Sequence, residues 1–299
     1  MKFRLLLAGY KGYKFLEKIV KDNYTIDFIE SVVSYKGKNK FFGDIEKICN
    51  EENITLYLRS ELDVLKYKEH LINLTIGWQY IITGNTDDVI IFHDSLLPLY
   101  RGWNPTVTAL INGDGYAGTT ALLPGYEFDC GHIIDQYEYE IVEDMTIREA
   151  YEEVTHCNVL MFMNLRSHFE ETNELPKAVP QNEVLATYSI WKDKEDYLID
   201  WNWSAEKIVR FINAVGFPYE GATSLGIPYE GDDYPIIEEA MIYYPEIKIV
   251  NNTPGKIFEF NEQGYPVVTC GKGMVSIEKM TINGERFEWY PQKIRYKLR

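Results

Sequence analysis

Phe3-Arg4-Leu5-Leu6-Leu7-Ala8-Gly9-Tyr10-Lys11-Gly12 is the stretch on which the fold turns. Its first six residues are apolar apart from Arg4, which suits a strand buried on both faces. Gly9 and Gly12 punctuate a turn, after which Phe15, Leu16, Ile19 and Val20 recur at helical spacing. Strand, turn and helix in that order begin a βαβ unit. The glycine spacing is not that of a dinucleotide fingerprint, so Gly9 to Gly12 is read as a structural corner that can also touch a substrate.

The same alternation continues. Phe28 to Ser34 suits a second strand, Ile45, Ile48 and Cys49 a helix, and Ile54 to Leu58 another extended run. Leu62, Leu65 and Ile72 fit a helix, and Leu74 to Gly77 and Val89 to Phe92 fit two more strands. A further strand is expected from Gly118 to Pro124, followed by a loop from Gly125 to His132. Thr146 and Glu149 form a capping box ahead of a long helix through Tyr151, Val154, Phe162, Leu165 and Phe169. After Pro176 and Pro180 the texture changes to short alternating segments, such as Lys256 to Phe260 and Val267 to Cys270. A single helix interrupts them, with Ala205, Ile208, Val209, Ile212 and Val215 at helical spacing. The expected architecture is α/β: an open, mostly parallel Rossmann-like sheet over residues 1–184, then a small β-rich, OB-like domain over 185–299. Trp201, Trp203, Phe211, Phe217, Tyr219, Tyr243 and Tyr244 supply the second domain with a core and an interdomain seam, or with a homodimer interface.

Composition narrows the function. The 299 residues carry 46 acidic and 30 basic side chains, a net charge of −16. Binding a polyanion neutralises phosphates with clustered Lys and Arg, so neither a nucleic-acid partner nor an anionic membrane surface is expected. Cys49, Cys130, Cys157 and Cys270 lie far apart with no CxxC pair, which suits free thiols in a reducing cytoplasm and no metal site. The apolar run near residue 5 is too brief for a signal segment or a membrane span.

Ligands of open α/β sheets bind outside the carboxyl ends of the strands. His93 follows the apolar run Val89 to Phe92 at such an end, and shares the loop Asp94 to Gly102 with Arg101. Asp129 follows the next strand, at a turn that Gly131 permits. An imidazole and a carboxylate brought to one cleft make an acid/base pair. The carboxylate favours the protonated ring, and an imidazolium stabilises a developing oxyanion.

The run HDSLLPLYRG, from His93 to Gly102, resembles the HxSLLPxxRG motif of the folate-dependent formyltransferases. Phe128-Asp129-Cys130-Gly131 resembles the partner LDxG loop, and Gly118-Thr119-Thr120 the GxT strand before it. Ala186 to Trp191, Asp196-Tyr197, Asp200-Trp201 and Ala214 to Ala222 are similar to the start of the family's carboxyl-terminal domain. The resemblance implies that N10-formyltetrahydrofolate donates a formyl group to an amine, with no metal. His93 would be the oxyanion stabiliser and general acid, and Asp129, through a water, would help deprotonate the amine. Trp78, Gln79, Tyr80 and Ile82 fall on the family's pterin-binding segment, and Gly125 and Tyr126 on the loop that closes over the same ring.

The family's Asn, two residues before the His, is replaced here by Ile91. The candidates for its lost hydrogen bond are Asn104, Thr120 and a backbone N–H, with Asn104 favoured as a catalytic residue. The substitution leaves two further readings open: a non-catalytic folate- or sugar-binding relative, and a same-fold enzyme acting on another acyl group. Among the family's acceptors, the net charge weighs against tRNA, and the second domain against glycinamide ribonucleotide. An amino sugar remains, nucleotide-linked and belonging to surface-polysaccharide biosynthesis. Ser95, Lys11, Arg101 and Trp103 are the expected acceptor contacts, the cations for a diphosphate and the indole for stacking.

Overall fold

The computed structural model describes residues 2–21, 26–64, 71–80, 82, 86, 88–227, 234–246, 249–288 and 296–299. The chain divides into two compact units, one of residues 1–105, 116–140 and 151–189, the other of residues 106–115, 141–150 and 190–299.

In chain order the elements up to the second helix-bearing stretch are β1 (Lys2–Leu7), α1 (Gly9–Lys21), β2 (Ile29–Ser34), α2 (Phe42–Glu51), β3 (Leu56–Leu58), β4 (Leu71–Ile76) and β5 (Val89–His93). There follow β6 (Arg101–Gly102), α3 (Pro105–Asn112), β7 (Tyr116–Leu122), β8 (Ile133–Glu140), α4 (Ile147–Thr172) and β9 (Tyr188–Ser189). The main sheet of the first unit runs β3-β2-β1-β4-β5-β7-β8. Pairing is parallel from β3 through β5, and antiparallel between β5 and β7 and between β7 and β8. Strand order reverses between β1 and β4, the switch point at which open sheets leave a crevice. Gly77 sits at that crevice with φ +65°, and a Cβ there would lie 2.3 Å from the Ala8 carbonyl oxygen. Only glycine lets the two strand ends approach this closely.

One face of the sheet carries Leu5, Leu7, Leu74, Ile76, Ile90 and Phe92, packed with Phe15, Leu16 and Ile19 of α1 and Phe162 and Leu165 of α4. The rings of Phe3 and Phe15 meet Phe162 edge-on at 4.8 and 5.6 Å. Strand alternation turns Ile91 and His93 to the opposite face.

The strands expected at residues 3–8, 28–34, 74–77, 89–92 and 118–124 are present, as are the long helix and its cap. Thr146 N–H donates to the Glu149 carboxylate at 2.8 Å, and Glu149 N–H donates to the Thr146 hydroxyl at 3.3 Å. Gly9, with φ +64°, turns the chain from β1 into α1 as expected, while Gly12 lies within the first turn of the helix. Two further elements differ from expectation. Residues 59–64 make a 3₁₀ turn and Ile72 belongs to β4, so no single helix joins Leu62 to Ile72; Leu65 lies outside the described residues. β8 is a strand with no local signal: its residues are mostly half-buried or exposed and include Asp135, Glu138 and Glu140, as suits the edge of a sheet.

The second unit holds α5 (Ala205–Val215), β10 (Ala222–Thr223), β11 (Ile236–Tyr243), β12 (Ile257–Phe260), β13 (Pro266–Thr269), β14 (Met274–Ile282) and β15 (Glu285–Arg286). Its strands form an antiparallel sheet in the order β10-β11-β14-β13-β12, with β15 on β14. α5 starts at Ser204, whose hydroxyl accepts from Lys207 N–H, and buries Ile208, Val209, Phe211 and Ile212. Trp201 is buried with its indole N–H donated to the Ser224 hydroxyl, whereas Phe217 and Tyr244 are exposed. No helix among the described residues is long and apolar enough to cross a membrane.

Candidate active site

β5 delivers His93 to the carboxyl edge of the sheet, in register with Thr120 of β7. The loop after it is held from within. Ser95 is buried, and its hydroxyl donates to the Leu99 carbonyl at 2.6 Å. Thr120 donates to the Ser95 carbonyl at 2.6 Å and accepts from Leu97 N–H at 3.1 Å and from the Gln136 side-chain amide at 2.8 Å. A hydroxyl has one proton to give, so Thr120 has none left for a substrate oxygen and drops out as a replacement for the missing Asn. Ser95, expected as an acceptor contact, donates its one hydroxyl proton to the loop itself.

The loop from Gly125 to Gly131 brings Asp129 to the histidine. His93 Nδ1 lies 3.5 Å from Asp129 Oδ2, and His93 Nε2 lies 3.0 Å from the Tyr100 carbonyl oxygen. A carbonyl only accepts, so the proton on Nε2 is assigned by its partner. A second proton on Nδ1 would point at the carboxylate. Asp129 Oδ2 also accepts from Gly102 N–H at 2.9 Å, which ties the two motif loops together. Asp129 has φ +54°, a left-handed conformation that Asp tolerates better than most side chains. The glycine two positions on is obligatory for space: a Cβ on Gly131 would lie 1.7 Å from the Leu123 carbonyl oxygen.

Ile91 lies on the same strand face as His93, half-buried, in register with Thr75 and Leu122. Its hydrocarbon side chain has no donor. Asn104 stands two residues beyond Gly102, with φ +51°, immediately before α3.

The expected acceptor cations are occupied. Arg101 is 1% exposed, and all five of its N–H groups are used. Nε and Nη2 donate to Gln181 Oε1 at 3.1 and 2.7 Å, Nη1 and Nη2 donate to the Glu183 carboxylate at 2.8 Å, and Nη1 donates to the Tyr188 hydroxyl at 3.2 Å. The bidentate bond to Glu183 raises the guanidinium pKa and lowers that of the carboxyl. Arg101 is therefore a clamp on the following chain segment and has no donor to spare for a diphosphate. Lys11 Nζ donates to both Asp94 carboxylate oxygens at 2.7 Å and lies 5.3 Å from the Tyr151 ring centroid, so much of its charge is met inside the protein. Trp103 is 38% exposed and packs against Phe128, 55% exposed, with ring centroids 4.9 Å apart. Each ring belongs to a residue adjacent to one partner of the Gly102–Asp129 hydrogen bond, so the pair flanks it.

The segment after β4 forms a second aromatic group. Tyr35 meets Trp78 and Tyr80 edge-on at 5.8 and 4.8 Å, and the Arg59 guanidinium lies 3.7 Å from the Tyr80 ring centroid. Gln79 accepts weakly from the Tyr35 hydroxyl at 3.5 Å. Burial pushes the Tyr35 phenol up to about 12. Trp78 Nε1 is buried with no hydrogen-bond partner among the described residues, a donor at the mouth of the sheet that calls for an acceptor. Ile82 is half-buried, Gly125 stands against Cys130 and Gly131, and Tyr126 is 87% exposed. Among the described residues no group of three or more His, Cys, Asp or Glu side chains could hold a metal.

Tyr35, Arg59 and Gln181 escaped sequence reading. Tyr35 follows β2 directly, so the rule about strand carboxyl ends could have found it. Gln181 lies in a polar segment far from either motif and carries no local signal.

An open α/β sheet brings an imidazole and a carboxylate together at its carboxyl edge, an arrangement able to hold and pass on a proton. Residues 78–165 match the family model described as formyl transferase, and residues 192–288 match formyl transferase, C-terminal domain. The chain belongs to the formyl transferase family. It is 26% identical over 283 residues to the bifunctional polymyxin resistance protein ArnA of Wigglesworthia glossinidia brevipalpis, covering 89% of this chain but only 40% of that relative's length. It is 24% identical over 291 residues to a methionyl-tRNA formyltransferase of Ruminiclostridium cellulolyticum, covering 91% and 88% of the two chains. Two solved structures share the fold. WlaRD, a sugar 3N-formyl transferase in the presence of dTDP and 5-N-formyl-THF, has a TM-score of 0.68 at 20% identity, over 95% of this chain and 99% of that one. The N-formyltransferase from Helicobacter canadensis, in complex with folinic acid and dTDP-3-aminofucose, has a TM-score of 0.65 at 20% identity, over 93% and 99%.

Proposed function

We propose that the protein transfers the formyl group of N10-formyltetrahydrofolate to the amine of a nucleotide-linked amino sugar, in the cytoplasm and for surface-polysaccharide biosynthesis. The observation that carries this reading is the convergence of His93 and Asp129, 3.5 Å apart, beside the exposed Trp103–Phe128 pair. Aromatic faces suit the C–H surface of a sugar or the plane of a base, and the net charge of −16 disfavours a tRNA acceptor. The 5-N-formyl-THF and dTDP of the WlaRD structure, and the folinic acid and dTDP-3-aminofucose of the Helicobacter canadensis structure, support substrates of the same classes. Trp78 to Ile82 is the segment that would meet the pterin, a ring rich in acceptors for the Trp78 indole N–H, which has no partner among the described residues.

In this mechanism the acceptor nitrogen attacks the formyl carbon and a C–N bond forms. Asp129, through a water, takes the proton that the nitrogen loses, while His93 turns its Nε2 proton from the Tyr100 carbonyl, 3.0 Å away in the ligand-free site, to the formyl oxygen as that oxygen gains charge. Collapse of the tetrahedral intermediate breaks the bond to folate N10, which takes up a proton and leaves as tetrahydrofolate. Lys11 and Arg101, bound within the protein, leave diphosphate recognition to other groups.

Incubation with N10-formyltetrahydrofolate and a panel of dTDP- and UDP-linked amino sugars should release tetrahydrofolate, with the formylated sugar identified by mass spectrometry. Ile91 favours the second reading, a relative that binds folate or sugar without transfer. Folate binding by calorimetry together with no release from any acceptor would select it.

A further inference from the structure

Beyond the reacting pair, we infer that Gln181 is a positioning residue that sets Asp129 against His93, an inference that rests on the reading of those two groups as the acid/base pair. The segment 179–189 is strapped across both motif loops. Val179 exchanges two backbone hydrogen bonds with Ile133, each 2.8 Å, just beyond the Asp129 loop. Further along, Thr187 N–H donates to the Pro98 carbonyl at 3.1 Å, Arg101 N–H to the Thr187 carbonyl at 2.9 Å, and Trp103 N–H to the Ser189 carbonyl at 3.1 Å. Gln181 is where the two attachments join. Its amide nitrogen donates to the Asp129 carbonyl at 2.7 Å and to the Gly131 carbonyl at 2.8 Å. Its amide oxygen accepts twice from Arg101, at 3.1 and 2.7 Å.

An amide serves here where no other side chain would. Its two N–H donors suit the two carbonyls, and its oxygen suits the guanidinium. A carboxylate would keep the bonds to Arg101 and lose both donors; a hydrocarbon would lose everything. The tie matters because Asp129 is a left-handed residue on a tight turn, with φ +54°. Its carboxylate is aimed by Gly102 N–H, and its backbone is anchored by Gln181. Release of the backbone anchor lets the carboxylate drift, and a misplacement of about 1 Å can lower turnover about 100-fold. Gln181 touches no substrate in this scheme and acts only through Asp129.

The test compares Gln181→Met and Gln181→Glu with the parent enzyme in the tetrahydrofolate-release assay, alone and combined with Asp129→Asn. Both variants should lower kcat about 10- to 100-fold with the KM for N10-formyltetrahydrofolate within about two-fold of the parent. Gln181→Glu keeps the Arg101 clamp, so it separates loss of the Asp129 anchor from loss of the fold if Gln181→Met unfolds. In the Asp129→Asn background either change should cost less than about three-fold, because the group being positioned is gone. Parent-like kcat in Gln181→Glu, or an undiminished loss in the double variant, overturns the positioning role. Full activity in Asp129→Asn alone would instead overturn the acid/base reading beneath it.

Discussion

His93 and Asp129 meet because two loops, each rigid for its own reasons, are joined by the Gly102 N–H bond at 2.9 Å. If they act as acid and base, His93→Ala and Asp129→Asn should each lower kcat by about 10²–10⁴, the range for a positioned proton-transfer group. Parent-like turnover in either would show that the chemistry lies elsewhere. Ile91 is the sharper probe. Thr120 has spent its one proton on the Ser95 carbonyl, so an amide at position 91, on the His93 face, would supply a donor that Thr120 cannot. Ile91→Asn should therefore raise kcat, by up to the 10²–10³ that one oxyanion donor is worth elsewhere. A fall would mean that the carbonyl oxygen is already held by a donor arranged around the isoleucine. At this scale much was legible: the His and the Asp from their place after two strands, and the departure at Ile91 from the resemblance to the formyltransferase motif. The state of each cation could not. Arg101 and Lys11 are charged residues close in sequence to the site, and only their partners, Glu183 and Gln181 for one and Asp94 for the other, reveal that their donors are taken.

Among the elements, α4 offers a clean measurement. Thr146 and Glu149 satisfy each other across its first turn, and hydrogen bonds from the Thr146 backbone and hydroxyl hold the Glu149 carboxyl below its ordinary value. Thr146→Ala should destabilise the fold by about 1 kcal/mol in urea titrations at pH 7. The sign of the pH dependence follows from the lowered carboxyl. Its contribution is present above the unfolded-state value and is lost as pH falls through the folded one. The difference between parent and Thr146→Ala should shrink in acid, and a difference that grew as pH fell would contradict the capping geometry. Capping signals are local, which is why α4 could be read from two residues. β8 lacked any such signal, since an edge strand with alternating acids reads as a solvated loop until β7 is seen to pair with it.

For the molecule as a whole, the four cysteines report burial. All are free and buried. Desolvation pushes the thiols of Cys49 and Cys270 up to about 12 and that of Cys157 to about 11. The thiolate is the reactive form, so these three should resist a thiol reagent at pH 8 in the native protein and react promptly in guanidinium. Rapid modification of any of them without loss of the native circular-dichroism signal would place that residue outside the core. Cys49 belongs to the first unit and Cys270 to the second, so the two rates also report the opening of each unit separately.

The amino-acid sequence by itself determined the strand–helix alternation, the edge of the sheet where ligands bind, the two motif loops and the cap of α4. Each of these depends on residues near one another in the chain, through periodicity, turn geometry or local hydrogen bonding. Tertiary structure alone decided which polar groups remain for a substrate. A hydrogen bond made by the side chain of Gln181 or Arg101 is set by distance in space, and the chain brings its partners Asp129 and Gln181 together across 52 and 80 residues.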